Sequence, residues 1–243
     1  GNIEITLEKK DSIYYLTMDA EENRWNTAFV RDIAEALDEI ENDEGPGALI
    51  TSSTNPKFFS NGLDLDWMQS PENHLDGGDR EVFGEEFMFL MGRVITLPIP
   101  TVCAINGHAF GAGFMFALSH DIRIMREDRG FLCANEMQLG LPIPRPELAL
   151  FKHKVPANAF FETVQLSKRW TGSDALSAGI IQGVSSLEEL PEVAQNKATE
   201  LAPLANNRKN FGHQKEMLYG ENAAINLSHG PAHMLKNSKD FKE

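Results

Sequence analysis

Three short segments of this chain hold residue types that could move a proton to or from carbon. In Lys57-Phe58-Phe59-Ser60-Asn61-Gly62-Leu63-Asp64-Leu65 an apolar strand end runs into a tight turn. In Asn106-Gly107-His108-Ala109-Phe110-Gly111-Ala112-Gly113 small residues close one strand and open a helix. Helix starts and sharp turns leave backbone N–H groups without acceptors at the positive end of a dipole, so each segment could hold an oxygen that becomes negative during a reaction. Two such donors would form an oxyanion hole. The same glycines would also let a helix and a strand pack closely, and spacing by itself does not separate the two roles. The third segment supplies an acid. Glu136, within Phe131-Leu132-Cys133-Ala134-Asn135-Glu136-Met137-Gln138-Leu139-Gly140-Leu141-Pro142, has apolar neighbours on both sides. Poor solvation makes a carboxylate a stronger base than it is in water, as abstraction from carbon requires; a helix-capping or ion-paired glutamate is the plainer alternative.

The elements that must position these segments can be read from periodicity. Ile3, Ile5 and Leu7 alternate with polar residues, and a turn at Lys10-Asp11 leads to a second strand, Ile13 to Met18. Asn26 can cap a helix whose stripe is Phe29, Ile33, Ala36, Leu37 and Ile40, ended by Gly45-Pro46-Gly47 before a strand at Ala48. The spacing of Val82, Phe83, Phe87, Leu90, Met91, Val94 and Ile95 predicts a helix from Glu81 to Leu97, stopped by Pro98 and Pro100. Strands are expected at Thr101 to Ile105, Asp121 to Met125 and Gly130 to Cys133, with a helix over Phe114 to Ser119. Beyond Leu187 the pattern is helical and polar. The loop from Ser70 to Arg80 is expected as a solvent-exposed connection or a lid.

Other chemistries find no residues. No Gly-Lys-Ser/Thr and no Gly-x-Ser-x-Gly occurs, and Phe116 stands where a dinucleotide fingerprint starting at Gly111 needs its third glycine. Gly230-Pro231 breaks the helix that would align His229 and His233 on a metal, so both are expected as surface side chains. Cys103 and Cys133 sit in apolar runs, as buried thiols do. Lys+Arg 22 against Asp+Glu 36 leaves a net charge of −14, which argues against nucleic acid or an anionic membrane as partner. The stretch from Leu90 to Leu118 is too interrupted by polar residues and prolines to span a bilayer. With no secretory segment or peroxisomal tripeptide read at the ends, a soluble protein of the cytoplasm or an organelle matrix is expected.

Taken together, the three segments, with Asn23-Arg24-Trp25-Asn26 ahead of the first long helix, resemble the crotonase (enoyl-CoA hydratase/isomerase) superfamily over about residues 3–184. The resemblance implies an α/β fold: a spiral of ββα units, here residues 1–185, and a helical C-terminal region, 186–243, used in trimerisation, so that a homotrimer or hexamer is expected. It also implies an acyl-coenzyme A thioester as substrate, no separate cofactor, and a thioester oxygen held by the N–H groups of Asn61 and Ala112. Hydratases of the superfamily use two glutamates; here Met115 fills the first place and Glu136 the second. The Asn-Glu-Met-Gln-Leu-Gly run is similar to mitochondrial-type Δ3,Δ2-enoyl-CoA isomerases, and the Phe-Phe-Ser-Asn-Gly turn to plant-type peroxisomal ones. The expectation is an isomerase in which Glu136 moves a proton from C2 to C4 of a 3-enoyl-CoA. The alternatives are a hydratase or thioester hydrolase in which Glu147 supplies the missing acid, and a catalytically silent acyl-CoA-binding scaffold. Arg24 and Lys57 are the expected phosphate cations, unless they are ordinary surface residues. Phe59, Gly62, Leu63, Asp64, Leu65, Gly111 and Met115 are expected around the substrate, with Trp67, Met68, Phe83 and Phe87 as further acyl-pocket candidates.

Overall fold

The computed structural model describes residues 4–71, 74–221 and 229–242; Ile3 and part of the Ser70–Arg80 loop lie outside them. In chain order the elements are β1 (Ile5–Lys10), β2 (Ile13–Met18), α1 (Thr27–Glu41), β3 (Ala48–Ser53), β4 (Phe58–Ser60), α2 (Leu65–Gln69), α3 (His74–Gly77) and α4 (Phe83–Ile95). They continue as β5 (Thr101–Ile105), β6 (His108–Phe110), α5 (Ala112–Ser119), β7 (Ile122–Arg126), β8 (Leu132–Cys133), α6 (Arg145–Lys154), α7 (Ala157–Gln165), α8 (Gly172–Ala178) and β9 (Gly183–Ser185). The helices α9 (Leu190–Leu201), α10 (Arg208–Tyr219) and α11 (Pro231–Lys236) follow. Among the described residues, no helix is long and apolar enough to cross a membrane.

Strand pairing shows the spiral. A six-stranded sheet runs β1-β2-β3-β5-β7-β9, and a three-stranded sheet runs β4-β6-β8. Each strand pair β3/β4, β5/β6 and β7/β8 therefore sends one strand to each sheet. After the antiparallel β1–β2 hairpin every pairing between these strands is parallel, with Ile50 opposite Val102 and Cys103 opposite Arg123. A parallel strand covered on both faces is apolar for most of its length, and all five residues of β5 are buried, the one polar side chain, Thr101, accepting from the Asp121 N–H at 2.8 Å. Asn26 caps α1 as expected, its side chain accepting from the Phe29 N–H at 2.8 Å.

Trp25 organises the core between α1, α4 and α5. It is wholly buried, with Phe29, Phe87 and Phe116 edge-on around it at 4.7, 5.1 and 5.1 Å between ring centroids. Its indole N–H donates to Ser60 Oγ at 3.0 Å, and that hydroxyl donates to the Asn23 carbonyl at 2.7 Å. The Asn23 amide donates in turn to the Phe59 carbonyl at 3.0 Å. These bonds clamp the end of β4 to the Asn23–Asn26 stretch.

Beyond β9 the chain is helical, but α9 is no separate body. Leu190, Ala194 and Ala198 of α9 join Ile50, Val102, Ala104 and Ile124 of the sheet in one hydrophobic cluster. Residue 185 marks a change of secondary structure and not a division between cores. The Ser70–Arg80 loop is anchored at Gly77, which lies so close under the Trp67 ring that an added Cβ would meet it at 2.2 Å.

Candidate active site

A cavity of about 430 Å³ opens where the ends of the two sheets meet the start of α5. Leu63, Ala112, Met115 and Glu136 line it, with Phe83, Phe87 and Leu65 on one wall and Leu139 and Leu141 at the rim. The last two are 51% and 46% exposed, an apolar lip of the kind that accepts an alkyl chain.

Gly111 turns the chain from β6 into α5. Its φ of 53° and ψ of −118° suit only glycine, and the Ala112 N–H, first of the helix, has no acceptor among the described residues. Gly113 brings α5 against β4: a Cβ there would lie 2.2 Å from the Ser60 carbonyl oxygen. The two glycine roles left open by spacing thus fall to different glycines, Gly111 presenting a donor and Gly113 permitting close packing.

The first turn requires a correction. The Asn61 N–H is not free, because it donates to the Glu22 carbonyl at 2.9 Å. The free donor is Leu63. Trp25 N–H donates to Gly62 O at 2.8 Å and Asp64 N–H to Trp25 O at 2.9 Å, so in this short parallel bridge the N–H of Leu63 is turned away from Trp25. It has no acceptor among the described residues, and Leu63 lines the cavity. Two unpaired amide donors, Leu63 and Ala112, therefore serve one cavity.

Glu136 begins the turn after β8, immediately before the 3₁₀ segment Met137–Leu139. Its Oε1 lies close to Gly111, 3.5 Å from where a Cβ would sit, while Oε2 is buried without a hydrogen-bond partner. Burial pushes this carboxyl above the ordinary range, partly opposed by a backbone hydrogen bond within the residue. The capping or ion-paired alternative for Glu136 does not hold: no side-chain cap bond and no ion pair is formed among the described residues. Met115 is buried on the cavity wall and offers no second proton-transfer group. Glu147, on the first turn of α6, lines the same cavity, and burial together with the charge of Glu136 pushes it up to about 8.

Other expected site residues fall elsewhere. Phe59 is a core residue with no exposed surface, stacked on Phe116 at 6.2 Å, because odd and even residues of β4 face opposite ways. Asp64 spends its carboxylate capping α2, accepting from the Trp67 N–H at 3.2 Å. Lys57 is exposed away from the cavity, its ammonium 5.3 Å above the Phe58 ring. Trp67 is fully buried core and Met68 packs against it. Arg24 does line the cavity, beside Glu22 with an N–O distance of 3.0 Å. Gly62, Leu65, Phe83 and Phe87 lie there as well. Phe110 and Asn135 also line it without having been singled out; adjacency to Gly111 and Glu136 was the only available signal.

Despite the helix break, His229 and His233 meet, their rings stacked at 4.7 Å. Glu221 stands 3.8 Å from His233. Ligand atoms of these three lie up to 4.8 Å apart, against about 3.3 Å between ligands on one zinc ion, and two of the three residues are exposed. Glu221 and His229 are exposed and His233 is half-buried, so the three side chains lie at the surface, as expected of the histidines.

A spiral of ββα units that sets two amide donors and a desolvated carboxylate around one cavity is the architecture of the crotonases. This chain belongs to that superfamily: the Enoyl-CoA hydratase/isomerase family model matches residues 8–237. Enoyl-CoA delta isomerase 3 of Arabidopsis thaliana is 32% identical over 220 residues, covering 89% of this chain and 92% of that protein. The apo structure of an Mtb enoyl-CoA isomerase superposes with a TM-score of 0.81 at 25% identity, covering 98% of this chain and 96% of that one. The fold is shared equally with human mitochondrial delta3-delta2-enoyl-CoA isomerase, with a TM-score of 0.81 at 22% identity and coverage of 98% and 88%.

Proposed function

We propose that this protein is a Δ3,Δ2-enoyl-CoA isomerase. The observation that carries the reading is the desolvated carboxylate of Glu136, with an unpartnered buried oxygen, in one cavity with two free amide donors and with a thioether, Met115, at the place where hydratases of the superfamily carry their first glutamate. A 3-enoyl-CoA thioester would place its carbonyl oxygen against the N–H groups of Leu63 and Ala112. Glu136 would then take a proton from C2, leaving a dienolate whose oxygen those donors stabilise, and protonation at C4 would give the 2-trans-enoyl-CoA. The carboxyls and backbone supply all the groups this needs, so no cofactor is invoked. Arg24 is the cation nearest the cavity for the phosphates of coenzyme A.

Glu136→Gln keeps the shape of the side chain and removes the base. Turnover of 3-hexenoyl-CoA should fall about 10²- to 10⁴-fold while acyl-CoA binding persists, and near-normal turnover would refute the assignment. Following 2-hexenoyl-CoA in parallel separates double-bond migration from water addition, the hydratase alternative. A trimer belongs to the same proposal: Phe161, Leu166 and Leu204 are 63%, 60% and 64% exposed, apolar surface that a second copy would cover. Sedimentation equilibrium should give three times, or six times, the 27.1 kDa chain mass.

A further inference from the structure

One half-buried carboxyl in the cavity has no part in the scheme above. Glu147 is carried there by Pro142-Ile143-Pro144-Arg145-Pro146, a run whose three prolines fix the backbone as it returns from the Glu136 turn over the cleft. Ile143 and Pro146 are buried and anchor the run.

The usual structural reason for a glutamate at this place is missing. Pro144 is the N-cap of α6, so Glu147 is the third residue of the helix, where a glutamate ordinarily reaches back to the N-cap N–H. Proline has no N–H to offer. Among the described residues the Glu147 side chain has neither a hydrogen bond nor an ion pair. It is half-buried on the wall that also holds Glu136. An acid with no cap to form, no cation beside it and a second carboxyl facing the same cavity is placed to exchange a proton.

We propose that Glu147 is the proton donor to C4, dividing the isomerisation with Glu136, which acts only at C2. The proposal rests on the isomerase reading. In the first step the C2–H bond breaks, its electron pair enters the dienolate, and the proton goes to a Glu136 oxygen. In the second, the Glu147 O–H bond breaks, C4 takes the proton, and the C2=C3 double bond forms. Glu147 is left as the carboxylate and Glu136 as the acid. Transfer of one proton from Glu136 to Glu147, directly or through water, restores the starting state with no net gain or loss. Two carboxyls in one apolar site favour one shared proton over two charges, and burial with the Glu136 charge assigns that proton to Glu147 at neutral pH.

The test follows the hydrogen at C4. 3-Hexenoyl-CoA deuterated at C2 is turned over in ordinary water by wild type, Glu147→Gln and Glu147→Asp, and the product is read by mass spectrometry and NMR under single-turnover conditions. Wild type should place solvent hydrogen at C4. Glu147→Gln should slow turnover about 10²-fold, and the remaining reaction, run by Glu136 alone, should carry deuterium from C2 to C4. Glu147→Asp, which keeps an acid at the position, should restore solvent hydrogen. Circular dichroism of each variant guards against misfolding, and in the event that Glu147→Gln does not fold, the wild-type label and the Asp variant decide. Direct C2-to-C4 transfer in wild type, or a Gln variant equal to wild type in rate and label, overturns the role of Glu147 and leaves the isomerase reading intact. Absence of any double-bond migration by wild type overturns both.

Discussion

Replacing Gly113 with alanine tests whether the packing of α5 on β4 sets the distance between the two amide donors. The added methyl would lie 2.2 Å from the Ser60 carbonyl oxygen, whereas ordinary contact begins near 3.4 Å, so something must retreat by 3.4 − 2.2 = 1.2 Å. Ser60 is poorly able to do so. Its hydroxyl is held at 3.0 Å by the Trp25 indole and at 2.7 Å by the Asn23 carbonyl, both fully buried. The strain therefore falls on α5, whose first residue is the donor Ala112, and Leu63 stays with Ser60 on the other side of the gap. Overpacking of this kind costs about 1–3 kcal/mol, which for a chain of this size lowers Tm by about 2–12 °C. A misplacement of about 1 Å between reacting groups can cost about 10²-fold in rate. Differential scanning fluorimetry and kcat/KM on 3-hexenoyl-CoA, measured well below the lowered Tm, read the two effects separately. A variant with unchanged Tm and unchanged kcat/KM would show that the glycine is not needed for the contact and that the donor spacing does not depend on it.

Further outcomes follow from the same geometry. Ser60→Ala should destabilise the fold by about 1–3 kcal/mol, since it leaves the buried Trp25 N–H without an acceptor, measurable as a lower urea midpoint. Because burial raises Glu136, kcat/KM should fall on acidification with a midpoint above the 4.5 of an ordinary glutamate; a midpoint at or below that value would mean a solvated base. Glu147, raised to about 8, favours the folded state in its protonated form, so its contribution is full below the ordinary 4.5 and is lost as pH rises through about 8. Glu147→Gln cannot suffer that loss, and its Tm relative to wild type should become more favourable between about pH 4.5 and about pH 8 and change little above that.

Most of the secondary structure was legible because burial on both faces imposes a pattern. The segment Thr101-Val102-Cys103-Ala104-Ile105, apolar but for one threonine, reads as an interior strand, and the stripe from Phe29 to Ile40 as a helix on a core. Boundaries moved by a residue or two where the pattern carried no mark, as at β8, which is only Leu132–Cys133. The types at the small-residue turn before α5 and the acid in an apolar run were also readable as local properties, whereas their meeting in one cavity was expected only from the family resemblance.

Which groups face the cavity was decided only by the tertiary structure. Whether Asn61 or Leu63 presents the free N–H depends on where Glu22 and Trp25, some forty residues earlier, lay their carbonyls and amide. Phe59 and Asp64 have the types a substrate site would use, yet one faces the core and the other caps a helix. Side-chain chemistry is written residue by residue, so the sequence determined the kind of reaction available and the elements that carry it. The direction in which a donor or an acid points is a property of the pairing between distant strands, and only the assembled fold decides it.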